Sequence, residues 1–111
     1  MLNSINFSAY QMKPLLYGLI TQTILPFNDI TMNIQEGDIL GVSFNNTLLK
    51  DYSLLITNVT FTSMKKVNNE DISKNGFLYK PTFLEYIENF RNVKEEGSIV
   101  KLDFKLMENK S

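Results

Sequence analysis

Val-Lys-Leu-Asp-Phe-Lys-Leu, residues 100–106, alternates apolar and charged side chains without a break. Successive side chains of a β-strand point to opposite faces of a sheet, so this alternation predicts a strand with one buried face. Val100, Leu102, Phe104 and Leu106 point one way, and the charged residues between them point the other. The chain therefore contains a β-sheet, and the elements upstream decide its type.

Four segments upstream of this strand are also predicted to be strands. They span residues 5–7, 21–25, 39–44 and 54–64. The second is rich in β-branched residues and ends at Pro26, and the third follows the turn signal Glu36-Gly37-Asp38. In the fourth the apolar alternation is imperfect, which predicts a bulge or a curved barrel strand.

Helical segments are predicted at three places between the strands. The first begins at the N-cap residue Ser8 and ends at Gly18, with Met12, Leu15, Leu16 and Leu19 at helical spacing. A short second helix begins at the N-cap residue Asn68. The third starts at 80–82 and gathers Phe83, Leu84, Ile87 and Phe90 on one face. This order of elements predicts one α+β domain, residues 1–111, with a mainly antiparallel sheet that closes into a small β-barrel.

Composition limits the chemistry that the chain can carry. The 111 residues include no Cys and no His, which removes disulfides, thiolate catalysis and the commonest metal ligand and general base. Eleven Lys and Arg against twelve Asp and Glu give a net charge of −1, so no global positive field attracts nucleic acid or an anionic membrane. The N-terminus has no signal-peptide pattern and no apolar run is long enough for a membrane span, so we expect a cytoplasmic protein without a membrane partner.

Several short motifs, in this order along the chain, resemble one known family. Gly18 followed by Thr21-Gln22-Thr23-Ile24 is similar to the ASCH pattern Gly-x-Lys-Thr-x-Thr-x-Arg. The turn at 36–38, the segment 70–77 and the closing helix and strand also resemble ASCH elements. The resemblance covers nearly the whole chain and implies a PUA-like barrel of about five strands with two to three short helices.

The ASCH resemblance also implies a function that this sequence only partly supports. The fold is associated with RNA binding, and some members resemble amidohydrolases that act on N-acetylated cytidine with a Lys, a Thr and a downstream Glu. The Thr position is retained as Thr23, but Ile20 stands at the Lys position, Leu25 at the Arg position, and the Glu position falls near Gly76. Threonine needs a neighbouring base to act as a nucleophile. We therefore expect no such hydrolase chemistry, with Thr23 the one catalytic candidate retained.

Two groups of residues are candidates for binding nucleic acid. Thr21, Gln22 and Thr23 are predicted to line a cleft and to hydrogen-bond a base edge or a phosphate. Their β-propensity explains them equally well as plain strand residues. The second group is a basic edge with one aromatic ring, which is typical of single-stranded nucleic-acid binding: Lys65, Lys66, Lys74, Tyr79 and Lys80. Lysine is also the default surface residue of any protein, so this group has an ordinary alternative.

The acidic residues give no metal site. Glu36 and Asp38 flank Gly37, but no third or fourth oxygen ligand follows nearby, so the segment is interpreted as a turn. We expect neither a metal nor another cofactor.

The leading hypothesis is an ASCH-type domain that contacts RNA or another nucleic acid through the cleft near Thr21–Thr23. An alternative is a viral or mobile-element accessory protein that acts on a protein partner, which the apolar Ile20 and Leu25 favour. A second alternative is a hydrolase or nuclease with a relocated site. Either a monomer or a homodimer is compatible with the sequence.

Overall fold

A computed structural model of the chain describes residues 2–109. Its strands are β1 (Ser4–Phe7), β2 (Gln22–Pro26), β3 (Ile39–Phe44), β4 (Thr47–Ser63) and β5 (Ser98–Glu108). They form one sheet in the order β1-β3-β4-β5-β2, in which β1 and β3 are parallel and every other neighbouring pair is antiparallel. The sheet curls into a half-barrel with β1 and β2 at its edges, which confirms the predicted α+β fold of about five strands.

Three short α-helices accompany the sheet: α1 (Met12–Leu16), α2 (Asn69–Lys74) and α3 (Lys80–Asn89). Single 3₁₀ turns at Ala9–Gln11, Thr31–Asn33 and Met64–Lys66 link helices and strands. The predicted cap of α2 is confirmed, because the Asn68 side chain accepts a hydrogen bond from the Asp71 backbone N–H at 2.9 Å. Pro81 lies in the first turn of α3, where its missing N–H leaves no helical hydrogen bond unmade. No helix in residues 2–109 is long and apolar enough to cross a membrane.

The hairpin between β3 and β4 extends the longest strand beyond the prediction. Asn45 and Asn46 have positive φ values of 49° and 65°, the geometry of a two-residue turn whose twist matches that of the paired strands. The strand therefore begins at Thr47 directly after the turn, rather than at residue 54. The predicted irregularity is confirmed as a register shift against β5 between Ile56 and Asn58.

The first helix is shorter than the predicted segment from Ser8 to Gly18. The set of apolar residues predicted to share its buried face was also wrong in part. Of the four apolar residues, Leu15 is fully buried, whereas Leu19 is 65% exposed. The helix ends at Leu16, and Gly18 takes a φ of +79° that turns the chain towards β2. Leu19 therefore follows the turn and no longer shares the helix face with Leu15.

Apolar residues on both faces of the sheet form two core clusters, and β5 contributes to each. Val100, Leu102 and Phe104 pack on the concave interior of the half-barrel, together with residues of β1, β3 and β4. Ile99 faces the other way and packs with α2 and α3. The helices thus cover one end of the outer face, and the polar residues of β2 and β5 lie close to them.

Candidate functional site

A groove opens between the turn that precedes α1 and one face of α3. Its volume is about 400 Å³, and we call it the aromatic groove. Its lining residues are Ser8, Tyr10, Phe77, Thr82, Glu85, Tyr86, Asn89 and Phe90. Four of the eight are aromatic, and the others offer hydroxyl, carboxylate and amide groups. The groove therefore combines flat apolar walls with hydrogen-bonding groups.

Aromatic rings form a continuous wall of this groove. The rings of Tyr86 and Phe90 are stacked with centroids 5.3 Å apart and an interplanar angle of 17°. Phe77 extends the row with its centroid 4.8 Å from that of Tyr86. Behind it, Phe83 is fully buried and meets Phe77 edge-on, which holds the row in place. Tyr10 lines the same groove and remains 67% exposed.

The hydroxyl of Tyr86 is hydrogen-bonded to a buried side chain, that of Gln11. Gln11 donates from Nε2 to this hydroxyl at 3.4 Å, and Gln11 Oε1 accepts the Ser8 backbone N–H at 3.0 Å. Burial raises the pKa of Tyr86, and the positive charge of Arg91 nearby offsets part of that rise. The phenol is therefore neutral at physiological pH and can donate or accept a hydrogen bond.

Arg91 is a buried cation directly behind the aromatic wall. Its guanidinium lies 5.0 Å from the ring centroid of Phe90 and 5.1 Å from that of Phe7, and Nη2 donates to Thr23 Oγ1 at 3.1 Å. Burial lowers the pKa of this arginine. Within residues 2–109 no carboxylate forms an ion pair with it, and its Nε is buried without a hydrogen-bond partner.

A second polar cluster joins β2 and β5 to α2. Gln22 donates from Nε2 to Asp103 at 3.0 Å and to Asp71 at 3.3 Å, and accepts from Asn75 Nδ2 at 3.0 Å. Lys101 Nζ lies 3.3 Å from both carboxylate oxygens of Asp71. Burial raises the pKa of Asp71, but hydrogen bonds from the Asn68 backbone, Gln22 and Lys101, with the charge of Lys101, outweigh burial and lower it overall. Asp71 is therefore an anion whose carboxylate accepts hydrogen bonds from Gln22, Lys101 and the Asn68 backbone.

Two of the positions that the ASCH resemblance marks as catalytic are in contact, and apolar or donor-only groups surround all of them. Ile20 is only 3% exposed, and a Cβ on Gly76 would come within 2.9 Å of Ile20 Cγ1, so these two positions are in contact. The Thr23 hydroxyl accepts a hydrogen bond from Arg91, which is a donor only and cannot take a proton from it. Leu25, at the Arg position, is buried in the interior cluster.

The three residues of the predicted cleft do not share one surface. Thr21 is exposed. Its backbone N–H donates to the carbonyl of Lys74 in α2, and its carbonyl accepts from the backbone N–H of Phe104 in β5. Gln22 and Thr23 are 2% and 1% exposed, because one side of β2 is covered by α2 and the other by the interior of the half-barrel. Direct contact with a ligand is therefore open to Thr21, whereas Gln22 and Thr23 lie behind the surface. Their role in nucleic-acid binding stays a prediction.

The predicted basic edge is divided between different elements. Lys65 pairs with Glu96 at 3.2 Å and Lys74 with Glu70 at 3.4 Å. Lys66, Tyr79 and Lys80 are exposed. Tyr79 and Lys80 begin α3, the helix that carries Thr82, Glu85 and Asn89 into the aromatic groove. These two are the predicted residues nearest in sequence to the groove.

The turn at 36–38 is confirmed. Asp38 Oδ2 accepts the Gln35 backbone N–H at 2.9 Å, and Gly37 has a φ of +94°. No group of three metal-ligating side chains occurs in the part of the chain that the structure describes.

The sequence contained signals for the groove that the prediction did not use. Tyr86 follows Phe83 by three residues and precedes Phe90 by four, which is the spacing of one helix face. Arg91 is the only arginine among eleven basic residues. Arginine is better suited than lysine to a buried site in which the cation stacks on aromatic rings. The one arginine of a lysine-rich chain was therefore a signal of such a site.

The arrangement of strands and helices is similar to that of several solved structures. The ASCH domain from Lactobacillus crispatus has a TM-score of 0.70 at 15% identity, over 87% of this chain and 70% of that chain. A DUF984 protein from Enterococcus faecalis has a TM-score of 0.69 at 14% identity, over 88% and 68%. The hypothetical protein PH0355 has a TM-score of 0.72 at 12% identity, over 96% and 100%.

These similarities show the fold, which is that of a small α+β domain. More narrowly, it matches the fold of an ASCH domain, which confirms the fold that the sequence resemblance implied. No family model matches the sequence, and no curated protein matches it either.

Proposed function

We propose that this chain is an ASCH-type binding domain that contacts single-stranded RNA, or another single-stranded nucleic acid, without the amidohydrolase chemistry of some ASCH proteins. The aromatic groove carries the proposal, since its stacked rings and polar rim suit an unpaired base. A base that stacks on an aromatic side chain contributes about 1–3 kcal/mol to the free energy of binding, whatever the base.

The rim of the groove offers partners for the edge of such a base. The Glu85 carboxylate can accept hydrogen bonds from an exocyclic amino group, and the Asn89 amide can both donate and accept. Both side chains are exposed, so no internal bond has to break first. A carboxylate also repels phosphate, so the backbone of the strand would run along the outside of the groove.

Phosphate contacts would come from basic residues close in sequence to those that line the groove. Lys80 and Tyr79 lie at the start of α3, and Lys74 lies at the end of α2, with only a surface ion pair to Glu70 to give up. With two lysines on phosphates, the logarithm of the binding constant should fall with the logarithm of salt with a slope of about −1.4. This modest slope agrees with the net charge of −1.

The absence of hydrolase chemistry is supported by what surrounds Thr23. The threonine has an arginine rather than a base as its side-chain partner. Ile20 stands at the Lys position and the Glu position falls near Gly76, so neither the amine nor the carboxylate of that chemistry is present there.

Two matched tyrosine variants test the groove as the binding surface. Labelled single-stranded RNA is titrated with protein at low and moderate salt, with fluorescence anisotropy as the readout. Tyr10→Ala is expected to weaken binding by about 1–3 kcal/mol, roughly a factor of 5–150, because it removes one stacking ring. Tyr17→Ala removes an equally exposed tyrosine from the surface beside Thr21, outside the groove, and should leave affinity unchanged.

Three other results of this titration would contradict the proposal in whole or in part. A loss with Tyr17→Ala alone would assign binding to the Thr21 surface and overturn the groove. No binding of wild-type protein at low salt would overturn the nucleic-acid function itself. A preference for duplex over single-stranded RNA would contradict the stacking mode, since paired bases cannot enter the groove.

A protein partner is a second candidate function, which one exposed apolar feature favours. Phe27 and Phe61 are 44% and 54% exposed, and their rings meet edge-on with centroids 5.7 Å apart. Paired exposed aromatics are enriched at protein interfaces. If RNA does not bind, this pair is the first surface to vary in a pull-down experiment.

A further inference from the structure

The half-barrel is open between its two edge strands, and a pocket lies in this gap. Ser4, Ile5 and Asn6 of β1 form one wall, and Leu25 and Pro26 of β2 form the other. The volume is about 240 Å³, and we call this space the seam pocket. It shares no lining residue with the aromatic groove.

Arg91 contributes the only charged side chain of the seam pocket. The arginine is 8% exposed, and its Nε–H has no acceptor in the described part of the chain. A guanidinium taken from water without an opposing carboxylate carries a large desolvation cost. The rings of Phe7 and Phe90 offset part of this cost, but an aromatic face does not accept the in-plane N–H groups.

We propose that the seam pocket binds a small organic carboxylate, with the carboxylate on Arg91 and an apolar body along the pocket walls. Guanidinium and carboxylate match in geometry and charge. Leu2, Ile5, Leu25 and Pro26 suit an apolar body. A phosphate fits less well, because one cation balances only part of its charge and half of the lining is apolar. This proposal does not depend on nucleic-acid binding.

The position of the arginine adds a second observation. The residue after the end of α3 and its C-cap is Arg91, which lines the pocket and donates to the Thr23 hydroxyl of the facing strand β2. A buried cation at this point lowers the stability of the fold unless an anion pairs with it.

Because Arg91 is the only arginine, its Nε–Hε group gives one NMR signal that needs no further assignment. The labelled protein is titrated with sodium hexanoate, with hexan-1-ol as the neutral match and with inorganic phosphate. Hexanoate is expected to shift the Hε signal in a saturable way, and hexanol and phosphate should not. No saturable shift with hexanoate would overturn the proposal, and an equal shift with phosphate would overturn the assignment to a carboxylate.

Three variants separate binding in the pocket from general effects of salt. Leu2→Trp is expected to fill the seam pocket and abolish the hexanoate shift, while the Hε signal itself reports that Arg91 is still buried. Arg91→Lys should weaken hexanoate binding, measured by calorimetry, by about tenfold or more, since lysine lacks the planar fork. Lys94→Met removes an exposed cation near Arg91 in sequence and should change nothing. Unchanged binding in Leu2→Trp would contradict the location.

Discussion

Gly76→Ala is expected to lower the free energy of unfolding by about 2–5 kcal/mol, the combined cost of backbone strain and overpacking. Gly76 has a φ of +91°, which a residue with a Cβ adopts at a cost of about 1–2 kcal/mol. The new Cβ would also lie 2.9 Å from Cγ1 of the buried Ile20. Urea denaturation followed by circular dichroism measures the loss.

Gly37→Ala is the matched control for this variant. Gly37 has nearly the same φ, +94°, but a Cβ there would meet nothing within 4 Å. Gly37→Ala should therefore lower the free energy of unfolding by the backbone strain alone, about 1–2 kcal/mol. Adding Ile20→Ala to Gly76→Ala should cost less than the two single changes together, because the collision is gone. Equal losses for Gly76→Ala and Gly37→Ala would contradict the contact at the ASCH positions.

Asp71→Ala is expected to lower the free energy of unfolding at pH 7 by about 2–4 kcal/mol. The change leaves Lys101, Gln22 and the Asn68 backbone N–H without their shared acceptor in a largely buried cluster. Glu70→Ala, one residue earlier, removes only an exposed ion pair with Lys74 and should cost less than about 1 kcal/mol. Similar losses for the two variants would show that the cluster adds little.

The pH dependence of stability gives a second readout of Asp71. Its pKa is lower in the folded protein than in the unfolded chain, so its stabilising effect is complete above the unfolded value of about 4 and is lost as the pH falls through the folded pKa. Asp71→Asn, which cannot titrate, should therefore lose less stability between pH 7 and pH 3 than the wild type does. A wild-type and a variant curve of the same slope would contradict the lowered pKa.

Where local chemistry decides structure, the sequence was sufficient to predict it. The alternation at 100–106, the cap at Asn68 and the register shift near Ile56 each follow from neighbouring residues, and all three are confirmed. The first half of β4 escaped prediction because residues 47–53, which follow the hairpin turn, have no fully buried side chain. A strand without a buried face has no alternation to detect.

The candidate site could be predicted only in outline. The resemblance matched Ile20, Thr23 and a position near Gly76 to the catalytic groups of the family, and the structure brings Ile20 and Gly76 into contact. Sequence alone could not show that Arg91 reaches Thr23 from 68 residues away. The aromatic groove was not predicted for the same reason, since Tyr10 and Phe90 are 80 residues apart in the sequence and line one groove only in the folded chain.

Mapping bound RNA by NMR on the wild-type protein tests the central claim most directly. Amide signals of the labelled chain are followed while a short single-stranded RNA is added. We predict that the largest shifts cluster at Ser8, Tyr10 and Phe77 and along residues 79–90, which comprise α3 and its two cap residues. Shifts concentrated at Lys65 and Lys66, or around Tyr17 and Thr21, with the groove unaffected, would contradict it.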